Sequence, residues 1–263
     1  MDKRVKVGLI GFGNMAQAMA KGWIASGYLQ PNELGASAAR WDSLVAKTEA
    51  LGIEAFPSNR ALAEAAEVVV LAVKPYLVAS VLAEIGDALV GKILISVAVN
   101  VHYDAMKAMV PEGVKHLSIL PNTPVAVNQG ILVCEERSAL TTHDWQVVTQ
   151  LLSPLGRVIR VATDKMGAAG IVAGCGPAFA ALFIEALADA AVKHGVARAQ
   201  AYELVSQMMV GTGALQLASG AHPGAMKDAV CSPGGTTIVG VTTLEKTGFR
   251  AALIEAVDAI VNK

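Results

Sequence analysis

Two short segments hold residue types from which a binding site could be built. Near the amino end, Gly11-Phe12-Gly13-Asn14-Met15-Ala16 reads GxGxxA, directly after an apolar strand pattern and opening a helical one. That spacing suits a dinucleotide pyrophosphate. The first glycine makes the tight turn, the second leaves room for phosphate to approach backbone, and the small third residue lets helix and strand pack closely. The helix start adds unpaired N–H groups and a partial positive charge. Towards the other end, a Ser232-Pro233-Gly234-Gly235 loop enters a helix whose first turn carries Thr236 and Thr237. Backbone amides at such a start suit a carboxylate, and the adjacent hydroxyls place one side chain near a ligand. Plainer readings stand beside these. The first segment could be a glycine-rich turn without a ligand, or an S-adenosylmethionine site; at the second, Ser232 or Thr236 could simply cap the helix.

The second strand bears on which dinucleotide is bound. NAD enzymes of this fold usually end that strand in Asp or Glu, which takes the ribose hydroxyls. Glu33 has about the right separation from the glycines but stands at the strand's beginning, whereas its end carries Ala36-Ser37 with Arg40 following. A hydroxyl and a guanidinium suit a 2′-phosphate, which favours NADPH, with NADH as the alternative. Asn59 joins Ser37 and Arg40 as an expected cofactor residue. Val70-Leu71-Ala72-Val73-Lys74-Pro75 is a buried strand stopped by proline, its last residues left beside the cofactor, and Ala98 and Asn122 follow two further strands. Lys74 has the plain alternative of a solvated strand end.

Elements to position these residues can be read from periodicity. Strands are expected at Val5–Ile10, Leu34–Ser37, Ile53–Phe56, Val68–Val73, Ile93–Val97, His116–Leu120, Gly130–Val133 and Arg157–Val161, with helices such as Tyr76–Leu89 and His143–Leu152 between them. After about Thr163 the strand signal stops. Helices are expected at Gly176–His194, Arg198–Ser219, Pro223–Val230, Gly235–Thr247 and Phe249–Val261. Alternation followed by helices alone predicts an α/β Rossmann-type N-terminal domain over residues 1–163, followed by an all-α C-terminal domain over 164–263.

Composition narrows the classes further. Hydrophobic residues make up 54% of the 263 and charged ones 16%, with a formal net charge of -1. That leaves ample core material and no field for nucleic acid or an anionic membrane. Cys134, Cys175 and Cys231 are far apart and form no CxxC pair, so neither a disulfide framework nor a metal site is expected, which fits the cytoplasm. The start, MDKRVKVGLIGFGNMAQA, mimics a signal peptide, but Asn14 and Gln17 interrupt its apolar stretch. The 19 uncharged residues between Lys165 and Glu185 approach the length of a membrane span; their four glycines and Pro177 instead predict a loop running into a buried helix.

Taken together, Ser232-Pro233-Gly234-Gly235-Thr236-Thr237, Gly11-Phe12-Gly13-Asn14-Met15-Ala16, Ala72-Val73-Lys74-Pro75, Pro121-Asn122-Thr123-Pro124, Gly174-Cys175-Gly176-Pro177-Ala178 and Glu185-Ala186-Leu187-Ala188-Asp189 resemble the Δ1-pyrroline-5-carboxylate reductases, in order and spacing along the whole chain. The chain departs from the usual pattern at Cys175 (serine), Asn100 (glycine) and Leu120 (methionine). The resemblance implies hydride transfer from NAD(P)H to a cyclic imine carboxylate, forming L-proline. It implies substrate binding by Ser232, Gly234, Gly235, Thr236 and Thr237, with the Thr237 hydroxyl on the ring nitrogen as the catalytic contact. It also implies a homodimer or larger homo-oligomer through the C-terminal helices, the apolar faces of which favour self-association.

Other groups have ordinary explanations. Cys175 has no base identifiable beside it and reads as a packing residue. His194 falls at a helix end, His102 and His143 near helix starts, His116 at a strand start and His222 in a turn before Pro223. Two rivals remain. A β-hydroxyacid dehydrogenase shares the layout and could use Lys193 or Lys227, though the motif expected around its lysine is absent. A non-catalytic dinucleotide sensor would keep Gly11–Ala16 without needing Ser232–Thr237.

Overall fold

The apolar runs of the first half all enter one sheet. The structure, a computed structural model, describes residues 4–262. Its eight strands are β1 (Val5–Ile10), β2 (Leu34–Ser37), β3 (Glu54–Ala55), β4 (Ala66–Leu71), β5 (Ile93–Ser96), β6 (Lys115–Pro121), β7 (Gly130–Glu135) and β8 (Gly156–Val161). They lie in the order β3-β2-β1-β4-β5-β6-β7-β8. All pairings are parallel except β6 with β7. The first six follow the 3-2-1-4-5-6 order of the doubly wound dinucleotide fold, whose direction switches between β1 and β4.

Central strands carry apolar residues on both faces, as a parallel sheet covered on both sides requires. Val7, Leu9, Val68, Val70, Ile93 and Ile95 pack into one core layer. Val5, Ile10, Val69, Leu71 and Leu94 pack into the other. The covering helices are α1 (Asn14–Ala25), α2 (Trp41–Glu49), α3 (Asn59–Ala65), α4 (Val78–Ile85), α5 (Tyr103–Met109) and α6 (Thr142–Leu152). In α1 one face is buried, with Met19, Ala20 and Trp23 at 0% exposure. The indole N–H of Trp23 donates to the Leu151 carbonyl at 2.7 Å.

Several boundaries differ from the sequence reading. The fourth strand was expected to run to Val73 but ends at Leu71. Ala72 still donates to the Ile10 carbonyl at 2.7 Å. Lys74-Pro75 then turns the chain into a 3₁₀ segment. The expected helix Tyr76–Leu89 is α only over Val78–Ile85, with 3₁₀ turns at Pro75–Leu77 and Gly86–Leu89. Asn100, where glycine would be usual, has φ 62. Asn is the non-glycine residue that best tolerates this left-handed backbone.

The larger correction is α7, one continuous helix over Met166–Lys193 with Pro177 inside it. A loop was expected for its first part because proline cannot donate to the carbonyl four residues back. That carbonyl belongs to Ala173, and it is not orphaned: the Asn122 side-chain amide donates to it at 3.0 Å. Asn122 Oδ1 in turn accepts from Ile131 N at 2.9 Å. Nor is α7 the buried helix expected, since only 11% of its most apolar window is buried within the chain.

By its contacts the chain divides into two compact units, residues 1–174 and 175–263. The opening turns of α7 go with the sheet, where Met166 and Ala173 pack on Val133, with Leu120, Ile131, Val161 and Ala169 around them. The second unit contains the rest of α7, then α8 (Arg198–Ser219), α9 (Pro223–Ala229), α10 (Thr236–Lys246) and α11 (Phe249–Val261). Its core is small: Ala188, Ala201 and Val205 beside Phe183, Ile184, Ala191, Val192 and Val196.

Candidate active site

Within the first unit, the expected nucleotide residues meet on one edge, because the parallel strands β1, β2, β4, β5 and β6 all end there. Gly11 takes φ +86, and a Cβ on it would lie 2.6 Å from the Ala72 carbonyl oxygen. Only glycine fits. Its N–H donates to the Ser37 carbonyl at 2.9 Å, which locks the turn after β1 to the end of β2. Gly13 is the N-cap of α1, without a side-chain cap. A Cβ there would meet nothing within 4 Å. The cradle is open above the first-turn amides, which leaves room for a group of pyrophosphate size beside the helix start. Ala16 is fully buried, as the close-packing role of the third position demands.

The other rim residues fall into place around this turn. Phe12 is buried; Asn14 is exposed and Met15 half-buried at the start of α1. Ala72 and Val73 are half-buried after β4, Lys74 and Pro75 exposed. Ala98 is buried after β5. Beyond β2, the buried Ser37 donates its hydroxyl to Asn59 Oδ1 at 2.9 Å. Arg40, the N-cap residue of α2, is exposed and has no ion-pair partner among the described residues. Glu33 is held away at the opposite end of β2, its carboxylate 2.6 Å from Lys6 Nζ and accepting from Gln30 N at 2.8 Å. Those two contacts hold its carboxyl below the usual carboxylate range, the Lys6 hydrogen bond contributing most. Asn122 also stands on the rim, but its side chain is spent on Ala173 and Ile131.

The second unit holds the Ser232–Thr237 segment at the start of α10. Gly234 has φ +69, a backbone that favours glycine. Gly235 is the N-cap and donates to the Ser232 carbonyl at 3.0 Å. No side chain caps the helix, so the alternative of a Ser232 or Thr236 cap does not occur. A glycine at this position contributes no oxygen, and the first-turn amides stay open to a ligand. Further along, Thr242, Thr243 and Thr247 turn their hydroxyls back to carbonyls of their own helix. Thr236 and Thr237 are exposed and make no such bond among the described residues.

Three other groups lie in the following surroundings. His222 Nδ1 accepts from Gly224 N at 3.0 Å at the start of α9. His116 stacks on Tyr103 at 5.0 Å between ring centroids, and burial lowers its basicity. Cys134 is buried and its thiol is pushed up to about 12 by burial, which removes it as a nucleophile.

Residues 163–263 match the family model for pyrroline-5-carboxylate reductase dimerisation, and residues 6–100 match that of NADP oxidoreductase, coenzyme F420-dependent. The chain is 43% identical over 259 residues to the pyrroline-5-carboxylate reductase of Treponema pallidum, covering 97% of this chain and 98% of that one. It is 38% identical to the Escherichia coli enzyme of the same name, covering 98% and 96%. The chain belongs to the pyrroline-5-carboxylate reductase family. A crystal structure of the Plasmodium falciparum pyrroline carboxylate reductase with NADP bound superposes with a TM-score of 0.86 at 30% identity, covering 98% of this chain and 96% of that chain.

Within this reductase chain two further polar side chains reach the nucleotide rim without belonging to any motif above. Glu84 accepts from the Asn59 amide at 3.0 Å, and Gln17 donates to the Phe12 and Gly13 carbonyls at 3.2 Å in the glycine turn. Gln17 could have been found one helical turn after Gly13. Glu84 has no local signal, because 25 residues separate it from Asn59.

Proposed function

We infer that this chain reduces Δ1-pyrroline-5-carboxylate to L-proline with NADPH. The observation that carries the reading is 43% identity to a pyrroline-5-carboxylate reductase across 97% of the chain. The geometry agrees, with an uncapped helix start at each expected ligand. When bound, the nicotinamide supplies hydride to the imine carbon while the ring nitrogen ends as an amine. Everything asked of the protein is positioning and electrostatics.

The amides following Gly11, Phe12 and Gly13, at Asn14 and Met15, hold the pyrophosphate. Ser37, Asn59 and Arg40 take the adenosine ribose and its phosphate; Ala72, Val73, Lys74, Pro75, Ala98 and Asn122 form the rest of the rim. Backbone N–H groups at Gly234, Gly235 and Thr236, with Ser232, take the substrate carboxylate. The Thr237 hydroxyl hydrogen-bonds the ring nitrogen, orients the imine and helps deliver its proton. Arg40 and the absence of an acid at the end of β2 are why NADPH is favoured over NADH.

The chain works as a homo-oligomer in the cytoplasm. Leu182, Leu204, Val210 and Ile254 are each more than 60% exposed, on helices that bury little within one copy. A second copy is the natural cover for that surface, and the dimerisation model spans these helices. By length and composition alone, α7 could also cross a membrane. The three cysteines are free thiols, as a reducing compartment allows.

One assay tests the reading: nicotinamide absorbance followed with the imine, using NADPH and NADH side by side, and with hydroxyacids plus NADP. Rapid loss of NADPH with the imine supports it. Turnover of hydroxyacids alone would favour the dehydrogenase rival, and nucleotide binding without any turnover the sensor.

A further inference from the structure

The rim beyond β2 contains a polar chain with one member to which the reading above gives no role. Ser37 donates to Asn59 Oδ1 at 2.9 Å, and Asn59 Nδ2 donates to Glu84 Oε2 at 3.0 Å. Asn59 is the first residue of α3, and Glu84 stands exposed on α4. In a doubly wound fold the end of the second strand is where the adenosine ribose is read: a carboxylate there favours a free 2′-hydroxyl, a cation a 2′-phosphate. Here no carboxylate sits on β2, but one reaches the same place through Asn59.

That contact has two consequences. Because a carboxylate only accepts, it draws the NH₂ of Asn59 to itself and leaves the amide oxygen facing Ser37. It also leaves a negative charge one side chain away from where a 2′-phosphate would bind. The adjacent Arg60 does not answer that charge. Its guanidinium is taken by Asp87 at 2.5 Å, Glu64 at 3.2 Å and the Glu84 carbonyl at 3.1 Å. Arg40 is the cation that follows the end of β2, where the 2′-phosphate is expected.

We propose that Glu84 is a positioning residue for cofactor specificity: through Asn59 it holds the NADPH-to-NADH preference below what Ser37 and Arg40 alone would give. The proposal rests on the nucleotide site assigned above. Glu84→Gln removes the charge and offers an amide that lets Asn59 turn its NH₂ towards a phosphate. Full-length wild type, Glu84→Gln and Glu84→Asp are titrated with NADPH and NADH by nicotinamide fluorescence, without imine, and by competition with 2′,5′-ADP and 5′-ADP. The expected result is an NADPH Kd about three- to tenfold lower in Glu84→Gln, the scale of one partly screened charge several Å away. The NADH Kd should stay within about twofold, and Glu84→Asp should keep the wild-type ratio. Equal NADPH-to-NADH ratios in wild type and Glu84→Gln, with both nucleotides binding, would overturn the proposal. If wild type binds neither nucleotide, the assigned site fails and takes this proposal with it.

Discussion

The Asn122–Ala173 contact offers a thermodynamic test of how α7 stays continuous through proline. Asn122 and Ala173 are both about 5% exposed, and the side chain satisfies two backbone groups, the buried Ala173 O at 3.0 Å and the half-buried Ile131 N at 2.9 Å. Each buried polar group left without a partner costs about 1–3 kcal/mol. Asn122→Ala should therefore destabilise the chain by roughly 3 kcal/mol, taking the buried Ala173 carbonyl near the middle of that range and the half-buried Ile131 N–H near its lower end. Pro177→Ala restores an N–H four residues beyond Ala173, so it can occupy the same carbonyl. In the Asn122→Ala background it should recover about 1–2 kcal/mol more than in wild type, and only part of the loss, because Ile131 N stays stranded. The four proteins would be compared by urea unfolding followed by circular dichroism, at one fixed protein concentration because self-association shifts apparent stability. Additivity within about 0.5 kcal/mol would show that Asn122 does not stand in for the missing donor, and the account of α7 would be wrong.

Three further outcomes are expected. Thr237→Ala should lower turnover by roughly a hundredfold, the lower end of general-acid effects, while the melting temperature holds; unchanged steady-state kinetics would remove its role. Gly11→Ala and Gly13→Ala should separate, since a Cβ at Gly11 meets the Ala72 carbonyl and one at Gly13 meets nothing. The first should lose both stability and NADPH affinity and the second affinity alone; equal melting losses would contradict the open cradle at Gly13. Asp144 is buried, and its hydrogen bond with Lys115 at 2.7 Å, with further bonds from Thr141, lowers its carboxyl from 3.8 to about 2. A depressed acid stabilises above its unfolded value and loses that contribution as pH falls, so Asp144→Asn should cost about 2 kcal/mol at neutral pH. The difference should shrink between about pH 4 and pH 2, and a pH-independent difference in denaturant unfolding would refute the assignment.

Much of the site could be read locally. Gly11, Gly13 and Ala16 carry their meaning in spacing, and the structure gives each the backbone or burial that the spacing demands. The limits of α8 and α11 match the periodicity to the residue, each bordered by a left-handed glycine, Gly220 after the one and Gly248 before the other. The plainer alternative at Ser232 or Thr236, a side-chain cap, does not occur, because Gly235 occupies the N-cap position.

What the chain's own order determined was therefore the set of strands and helices, the glycine turn and the Ser232–Thr237 loop, all governed by neighbours within a few residues. Tertiary structure alone decided the strand order, the continuity of α7 and the partner of Asn59. Each depends on groups far apart in sequence, 51 residues between Asn122 and Ala173 and 25 between Asn59 and Glu84. A hydrogen bond or ladder closed over such distances exists only after the sheet has brought its ends together, and local propensity has no means of anticipating it.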